Sequence, residues 1–200
     1  MPHIQPPGAF LFVTFRLVGS LPAHVQSELL AEGNRVRVVL ASLKDAPEKT
    51  RLAYEAHKRL FGRWDACLDG MTEGPHWFKI PEVAQVVVDS LHFLDGDRYL
   101  LDCFCLMSNH AHVVFQPLEK LPGEYYALSS IMHSLKRYTA VEANKLLGRQ
   151  GQFWQHESYD HVVRDEAELN RVRDYVLKNP VKVGLVESTA EWPWSYMRQL

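Results

Sequence analysis

The sequence predicts an α+β fold in which one antiparallel sheet carries helices on one face. Segments rich in aromatic and β-branched residues alternate along the chain with segments of helical periodicity. Two of the strand-like segments are separated by a polar dipeptide, which is typical of a hairpin and therefore of antiparallel pairing. The 200 residues are 46% hydrophobic and 23% charged, a composition typical of a globular domain.

A strand and a long helical segment are predicted in the first third of the chain. Residues 10–18 (FLFVTFRLV) are aromatic and β-branched, which predicts a buried strand. Residues 22–60 have helical periodicity, and we expect a break near Pro47 because the residue before a proline disfavours the helical conformation. Residues 67–74 contain two glycines and several acidic residues, which predicts a loop.

A helix and a hairpin are predicted next. Residues 81–93 have the pattern of an amphipathic helix with a proline in its first turn. Its apolar stripe consists of Val83, Val86, Val87, Leu91 and Leu94. Residues 99–107 and 111–116 are strand-like, and the dipeptide Ser108-Asn109 between them predicts the turn of the hairpin.

Two more helices and one strand complete the predicted elements. Residues 125–147 form a long amphipathic helix, and residues 153–164 have the aromatic and β-branched character of a strand. Asp165 is a suitable N-cap for a last helix, because its carboxylate can accept from the first backbone N–H groups. We expect Asn179-Pro180 to stop this helix, since proline disrupts helical hydrogen bonding.

Charge and cysteine content exclude several classes of protein. No apolar run reaches the length of a membrane span, and residues 1–8 lack the pattern of a signal peptide. Three cysteines without framework spacing favour a reducing compartment, so we expect a cytoplasmic protein. The net charge is −2, but residues 31–64 hold eight basic and four acidic residues. A polyanionic partner would therefore need a local basic face.

Two histidines form the first candidate site. In His110-Ala111-His112 the imidazoles are two residues apart on a predicted strand, so that they point to the same side of the sheet. Two imidazoles in this arrangement can share one divalent metal ion. By themselves they are equally compatible with structural or surface histidines.

A tyrosine and an asparagine on the last helix form the second candidate site. Tyr175 and Asn179 are one helical turn apart and share a face. They could offer a phenolic oxygen and an amide oxygen to the same metal, or they could be a boundary tyrosine and a simple helix end. Tyr138 and Tyr159 are alternatives to Tyr175 as the tyrosine of this site, but neither has a polar residue one turn later at a helix end.

These motifs, taken together, resemble those of a known family. The sequence resembles the IS200-like transposases, and more closely the REP-associated tyrosine transposases, within the superfamily named for its His-hydrophobic-His motif. The segments CLMSNHAHVV and YVLKNPVK carry the two candidate sites. In chain order, the matching segments are residues 12–17, 105–114, 134–139, 151–155, 160–166, 175–182, 184–186 and 192–195.

The resemblance implies a fold, a reaction and a set of roles. It implies a ferredoxin-like sheet and a single-stranded DNA endonuclease and strand transferase that forms a 5′-phosphotyrosine at hairpin-associated sites. Tyr175 would be the nucleophile, and His110, His112 and Asn179 would bind Mg²⁺ or Mn²⁺. The expected partner is single-stranded DNA with a hairpin, with no membrane, and the protein would be a monomer or homodimer. The basic residues expected to contact the DNA are Lys136, Arg137, Lys178 and Lys182.

Two alternatives and a domain boundary complete the expectations. Cys103 and Cys105 could join His110 and His112 in a structural zinc site, which would make the chain a non-catalytic binding module. A domesticated descendant that binds DNA without cutting it is the other alternative. We expect one transposase-like domain over residues 1–200, with a helical insertion at 22–80 and a catalytic core at 97–197.

Overall fold

The computed structural model describes residues 6–43 and 45–199, which form two compact units. Gly19–Gly74 forms one unit, and the segments before and after it form the other. The helices are α1 (Ala23–Ser42), α2 (Ala46–Asp69), α3 (Pro81–Phe93), α4 (Leu128–Leu146) and α5 (Glu166–Lys182). The strands are β1 (Leu11–Arg16), β2 (Tyr99–Leu106), β3 (His110–Pro117), β4 (Glu119–Leu121), β5 (Glu124–Tyr125), β6 (Tyr159–Val162) and β7 (Ser195–Met197). None of the helices within the described ranges is long and apolar enough to span a bilayer.

The larger unit is built on a five-stranded sheet with the order β6-β1-β3-β2-β7. Every neighbouring pair in this sheet is antiparallel. The order β6-β1-β3-β2, with α3 before β2 and α4 between β3 and β6, is that of a ferredoxin-like sandwich. The structure therefore confirms the predicted α+β class.

The hydrophobic core lies between one face of this sheet and helices α3 and α4. Val13 and Phe15 of β1 and Val113 of β3 belong to one buried cluster with Val87 of α3 and Leu135 of α4. Helix α3 has the predicted bounds, and its apolar stripe supplies much of this cluster. Burying such side chains contributes about 1.5–3 kcal/mol each, which fixes the face of each strand that points inward.

Helix α5 covers the opposite face of the sheet, so that helices lie on both faces and not on one face as predicted. An ion pair joins Arg173 of α5 to Asp102 of β2, and Asn179 of α5 contacts His112 of β3. The helix begins as predicted, because the Asp165 carboxylate accepts a 2.7 Å hydrogen bond from the Glu168 backbone N–H. Helices α3 and α4 pack on the core side of the sheet. Of these three helices, α5 is therefore the one that contacts the side chains of the other face.

The predicted end of α5 at Asn179-Pro180 is wrong, since the helix continues to Lys182. Pro180 lies within the last turn, where its ring is buried. The helix ends at Gly184, which has a positive φ of 72° and whose N–H donates to the Val181 carbonyl. A glycine in this conformation satisfies the last carbonyls and stops the helix, so the stop signal is Gly184 rather than the proline.

Three other predicted bounds also differ from the structure. The loop expected at 67–74 starts only after Asp69, because α2 continues to a cap at Gly70. The strand expected at 153–164 is confined to β6, since Phe153 and Trp154 turn into the core instead. Helix α4 starts at Leu128, later than the predicted 125, because the preceding residues pair with β4.

The smaller unit consists of α1 and α2, which contact each other. The predicted break near Pro47 is confirmed, since α1 ends at Ser42 and Asp45 caps α2 by accepting from the Glu48 N–H. The two ends of the unit meet at Gly19 and Gly74. Gly74 has a φ of +91°, and a Cβ there would lie 2.9 Å from the Gly19 carbonyl oxygen, so that this contact requires a glycine.

Candidate active site

The two imidazoles of β3 lie side by side on the sheet face that α5 covers. His110 and His112 are 1% and 0% exposed, and their Nε2 atoms are 3.0 Å apart. Ala111 between them points to the core side. The prediction that the two histidines point to the same side of the sheet is therefore confirmed.

Hydrogen bonds to the other ring nitrogens fix the protonation of both imidazoles. His110 Nδ1 lies 2.6 Å from Asn109 Oδ1, and a carbonyl oxygen can only accept, so that the proton is on Nδ1. His112 Nε2 accepts from Asn179 Nδ2 at 2.8 Å, and its Nδ1 then donates to Thr14 Oγ1 at 2.8 Å. Nε2 of both rings is then unprotonated, and in this state the His112 Nε2 lone pair accepts from the Asn179 amide.

This arrangement fits a divalent cation. Two nitrogens bound to one ion at about 2.1 Å and at right angles lie about 3 Å apart, which matches the separation of the two Nε2 atoms. Neutral imidazoles held at Nδ1 by a second group are also the usual form of metal-binding histidine.

Asn179 could supply a third donor. Its side chain is fully buried on α5, and its Oδ1 has no hydrogen-bond partner in the described part of the chain. A buried amide oxygen without a partner costs about 1–3 kcal/mol. A cation beside the two imidazoles would satisfy this oxygen, so that His110, His112 and Asn179 form a mixed nitrogen and oxygen donor set. Such a set suits Mg²⁺ or Mn²⁺ but does not exclude Zn²⁺.

Tyr175 lies one helical turn before Asn179 and faces the same region. Its ring is half-buried, and the ring centre is 5.6 Å from that of His112. Phe12 of β1 packs its edge against the tyrosine ring with centres 6.1 Å apart and also stacks on His112. The Nζ of Lys182 lies 5.7 Å from the centre of the tyrosine ring. The structure thus brings together Tyr175, Asn179 and the imidazole pair.

The two alternative tyrosines differ in position: Tyr138 is on the opposite side of the sheet, and Tyr159 shares the sheet face of the imidazoles. Tyr138 is 58% exposed on α4, the helix that packs on the opposite side of the sheet. Tyr159 lies on β6 opposite Thr14, and its ring centre is 6.1 Å from that of Phe12. Phe12 contacts Tyr175 as well, with ring centres also 6.1 Å apart. Tyr175 is the one of the three for which the structure records a ring contact with His112.

The four basic residues expected to contact DNA have different surroundings. Lys136 donates to the carbonyls of Gln155 and His156 and to Ser158 Oγ, and burial lowers its pKa to about 8. Its three ammonium protons are therefore used inside the protein. Arg137 is exposed on α4, away from α5. Lys178 and Lys182 are exposed on α5 beside Tyr175, and Lys178 pairs with Asp174 at 2.9 Å.

The cysteines do not complete a zinc site with the two histidines. Cys105 is opposite His112 in the sheet register, as the predicted turn requires. Among the described residues, however, neither sulfur lies within 4.8 Å of both imidazoles as a shared ligand would. Burial raises the pKa of the Cys103 thiol, which disfavours the thiolate that zinc needs.

Sequence reasoning did not identify the contribution of β1 to the site. Phe12, Thr14 and Arg16 alternate along β1, and all three share the sheet face of the imidazoles because Thr14 is opposite His112 and Arg16 is opposite His110. The alternation itself is visible in the sequence. That β1 is the partner of β3 depends on the sheet order, which the sequence pattern does not specify.

Comparisons with known proteins show what this chain is similar to. No family model matches the chain. A putative REP-associated tyrosine transposase of Haemophilus influenzae is 28% identical over 96 residues, covering 46% of this chain and 54% of the relative. The chain therefore spans about half the length of the curated relative that it matches.

A solved structure is similar over almost the whole chain. It is a REP-associated tyrosine transposase bound to a REP hairpin, with a TM-score of 0.55 and 15% sequence identity. The match covers 98% of this chain and 80% of the other. At this identity the likeness shows the fold. The two comparisons confirm the resemblance to REP-associated tyrosine transposases that the motifs predict.

Proposed function

We propose that this protein is a metal-dependent endonuclease and strand transferase for single-stranded DNA that carries a hairpin. The observation that supports this most directly is that Tyr175 lies close to the imidazole pair of His110 and His112 and to the buried amide of Asn179. The similarity to REP-associated tyrosine transposases, one of them solved with a hairpin bound, supports the substrate class.

The proposed reaction is a transesterification at one phosphate. The phenolic oxygen of Tyr175 attacks the phosphorus and loses its proton, and the bond from phosphorus to the 3′ oxygen breaks. The products are a 5′-phosphotyrosine and a 3′ oxygen that takes up a proton. Since one phosphate ester replaces another, a second 3′-hydroxyl can reverse the step and join strands without an external energy source.

The remaining side chains of the site have binding and positioning roles in this proposal. His110, His112 and Asn179 would hold a divalent cation, which supplies Lewis-acid neutralisation of the phosphate charge when bound. Thr14 and Asn109 keep the imidazole protons on Nδ1, so that Nε2 is unprotonated. The Asn179 amide, whose N–H now donates to His112 Nε2, would have to turn its oxygen toward the cation when the cation binds. Lys182, whose Nζ lies 5.7 Å from the centre of the tyrosine ring, would provide positive charge near the nucleophile.

A DNA phosphate can reach the proposed ligand set only if the conformation around the site changes. Both imidazoles and Asn179 are shielded from solvent, whereas Tyr175 is only half-buried. A phosphate can contact the ligand set only after this shielding is removed. We therefore infer that binding of the DNA is coupled to an opening of the site.

The proposal is tested by the formation of a covalent adduct. Wild-type protein is incubated with an end-labelled hairpin oligonucleotide in Mn²⁺ or in EDTA, and the products are separated on a denaturing gel. We expect a protein–DNA adduct in Mn²⁺ only, its loss in Tyr175→Phe and its retention in the matched control Tyr138→Phe. An adduct that persists in Tyr175→Phe would show that the nucleophile is wrong. Hairpin binding without any adduct from the wild type would instead favour a non-catalytic, domesticated DNA-binding protein.

A further inference from the structure

Arg16 is a buried cation beside the imidazole pair. It is the last residue of β1 and lies directly opposite His110 in the antiparallel register. Side chains of directly opposite residues project to the same face of the sheet with their Cβ atoms about 5 Å apart. The contact of Thr14 with His112, one pair further along the same two strands, shows that this face is the one that holds the site.

The surroundings of Arg16 lower its pKa but leave the side chain charged at neutral pH. The side chain is 7% exposed, and burial lowers the pKa of the guanidinium to about 10, with Glu157 opposing this effect. The charge of Lys136 nearby adds repulsion between two cations. Burial therefore opposes the positive charge of Arg16 and Glu157 favours it, and at neutral pH the guanidinium remains charged.

We propose that Arg16 binds the non-bridging oxygens of the scissile phosphate and stabilises the negative charge that they carry during attack by Tyr175. This inference rests on the proposed function. A guanidinium presents two parallel N–H donors that match two phosphate oxygens, and its attraction is strongest where water is excluded. Since Arg16 and His110 face each other across one strand pair, an opening that brings a phosphate to one brings it to the other.

The test removes the charge from the protein and, separately, from the substrate. Arg16→Gln keeps the length and polarity of the side chain but lacks the positive charge. On an ordinary hairpin substrate we expect the single-turnover rate of adduct formation to fall about 100-fold, the typical effect of losing one donor to a developing charge. The dissociation constants for the hairpin and for Mn²⁺ should stay within about threefold. Arg51→Gln, an exposed arginine of α2, is the matched control and should react at the wild-type rate.

A methylphosphonate at the scissile position separates a catalytic role from a structural one. This substitution removes one charged oxygen from the phosphate, so that less positive charge is needed. We expect the difference in rate between wild type and Arg16→Gln to shrink about tenfold or more on this substrate. An undiminished difference, or an ordinary rate within threefold of wild type, would overturn the assignment of Arg16.

Two further outcomes keep the test decisive. If Arg16→Gln does not fold, Arg16→Lys replaces it, for which we expect about a tenfold loss that the methylphosphonate reduces. An equal loss on both substrates would then overturn the inference. If the wild type forms no adduct, the proposed function fails and this inference fails with it. If the wild type forms the adduct and the substrate effect is missing, only the role of Arg16 is rejected.

Discussion

The ion pair between Arg173 and Asp102 holds the helix that carries both Tyr175 and Asn179. Arg173 donates from Nε to Asp102 Oδ2 at 2.8 Å and from Nη2 to Asp102 Oδ1, which is a bidentate arrangement. The two side chains are 16% and 7% exposed, so that the pair is largely removed from water. We therefore predict that Arg173→Met destabilises the protein by about 3 kcal/mol, at the lower end of the range for breaking a buried ion pair.

The magnitude follows from what the substitution leaves behind. Methionine fills much of the volume of the arginine stem, so that little packing is lost. The Asp102 carboxylate, however, keeps its charge in a site that water barely reaches, and this uncompensated charge is the main cost. Replacing both residues, as Arg173→Met with Asp102→Leu, removes that charge and should recover most of the loss.

Urea denaturation followed by far-ultraviolet circular dichroism measures these free energies of unfolding. Lys178→Met is the matched control, because Lys178 also pairs with an aspartate on α5 but its side chain and that of Asp174 are 65% and 68% exposed. We expect a change below about 0.5 kcal/mol for this control. A loss below about 1 kcal/mol for Arg173→Met, or a double variant as unstable as the single one, would refute the reasoning.

Three other predictions concern the ligand set, the smaller unit and pH. Thr14→Val removes the acceptor for His112 Nδ1 and should lower Mn²⁺ affinity about 10- to 100-fold, measured by isothermal titration calorimetry. Gly74→Ala should lower the free energy of unfolding by about 1–3 kcal/mol, since its φ is +91° and the new Cβ meets the Gly19 oxygen, whereas Gly62→Ala within α2 should not lower it. For Lys136, burial lowers the folded-state pKa to about 8 from 10.5, so that stability should rise between those pH values as the folded protein loses the proton first. Lys136→Met should flatten that rise in urea unfolding measured against pH.

Each of these predictions has an outcome that contradicts it. Unchanged Mn²⁺ affinity in Thr14→Val would mean that the hydroxyl does not orient His112. Equal effects of alanine at positions 74 and 62 would mean that the close approach to Gly19 is not tight. A pH profile for Lys136→Met that is parallel to that of the wild type would assign the rise to other groups.

The grouping of the proposed catalytic residues was predictable from the sequence, but their surroundings were not. The spacing of His110 and His112 and that of Tyr175 and Asn179 each determine a shared face from strand or helix geometry alone. Thr14 and Arg16 have equally regular spacing, yet their role depends on β1 lying next to β3, a contact between residues about a hundred positions apart. No periodicity encodes such a pairing.

The positions of basic residues in the sequence were a poor guide to which side chains are exposed. Lys136 and Arg137 are adjacent in the sequence and are both predicted to contact DNA, but adjacent residues on a helix point in different directions. As a result Lys136 is bound by three internal oxygens while Arg137 is exposed. The stop predicted at Pro180 failed for a different reason. A proline in the last turn removes one helical hydrogen bond, and the helix still continues to Lys182 before the glycine cap at Gly184.

One helix supplies both the nucleophile and a ligand in the proposed site, and this couples two measurable properties. Tyr175 and Asn179 are one turn apart on α5, which Arg173 fixes to β2 from the turn before. Loosening that attachment must displace the amide oxygen and the phenol together, because a helix moves as a rigid element. Arg173→Met should therefore lower Mn²⁺ affinity and slow adduct formation in parallel. Loss of one without the other would mean that Asn179 is not a ligand or that the attacking oxygen is not carried by α5.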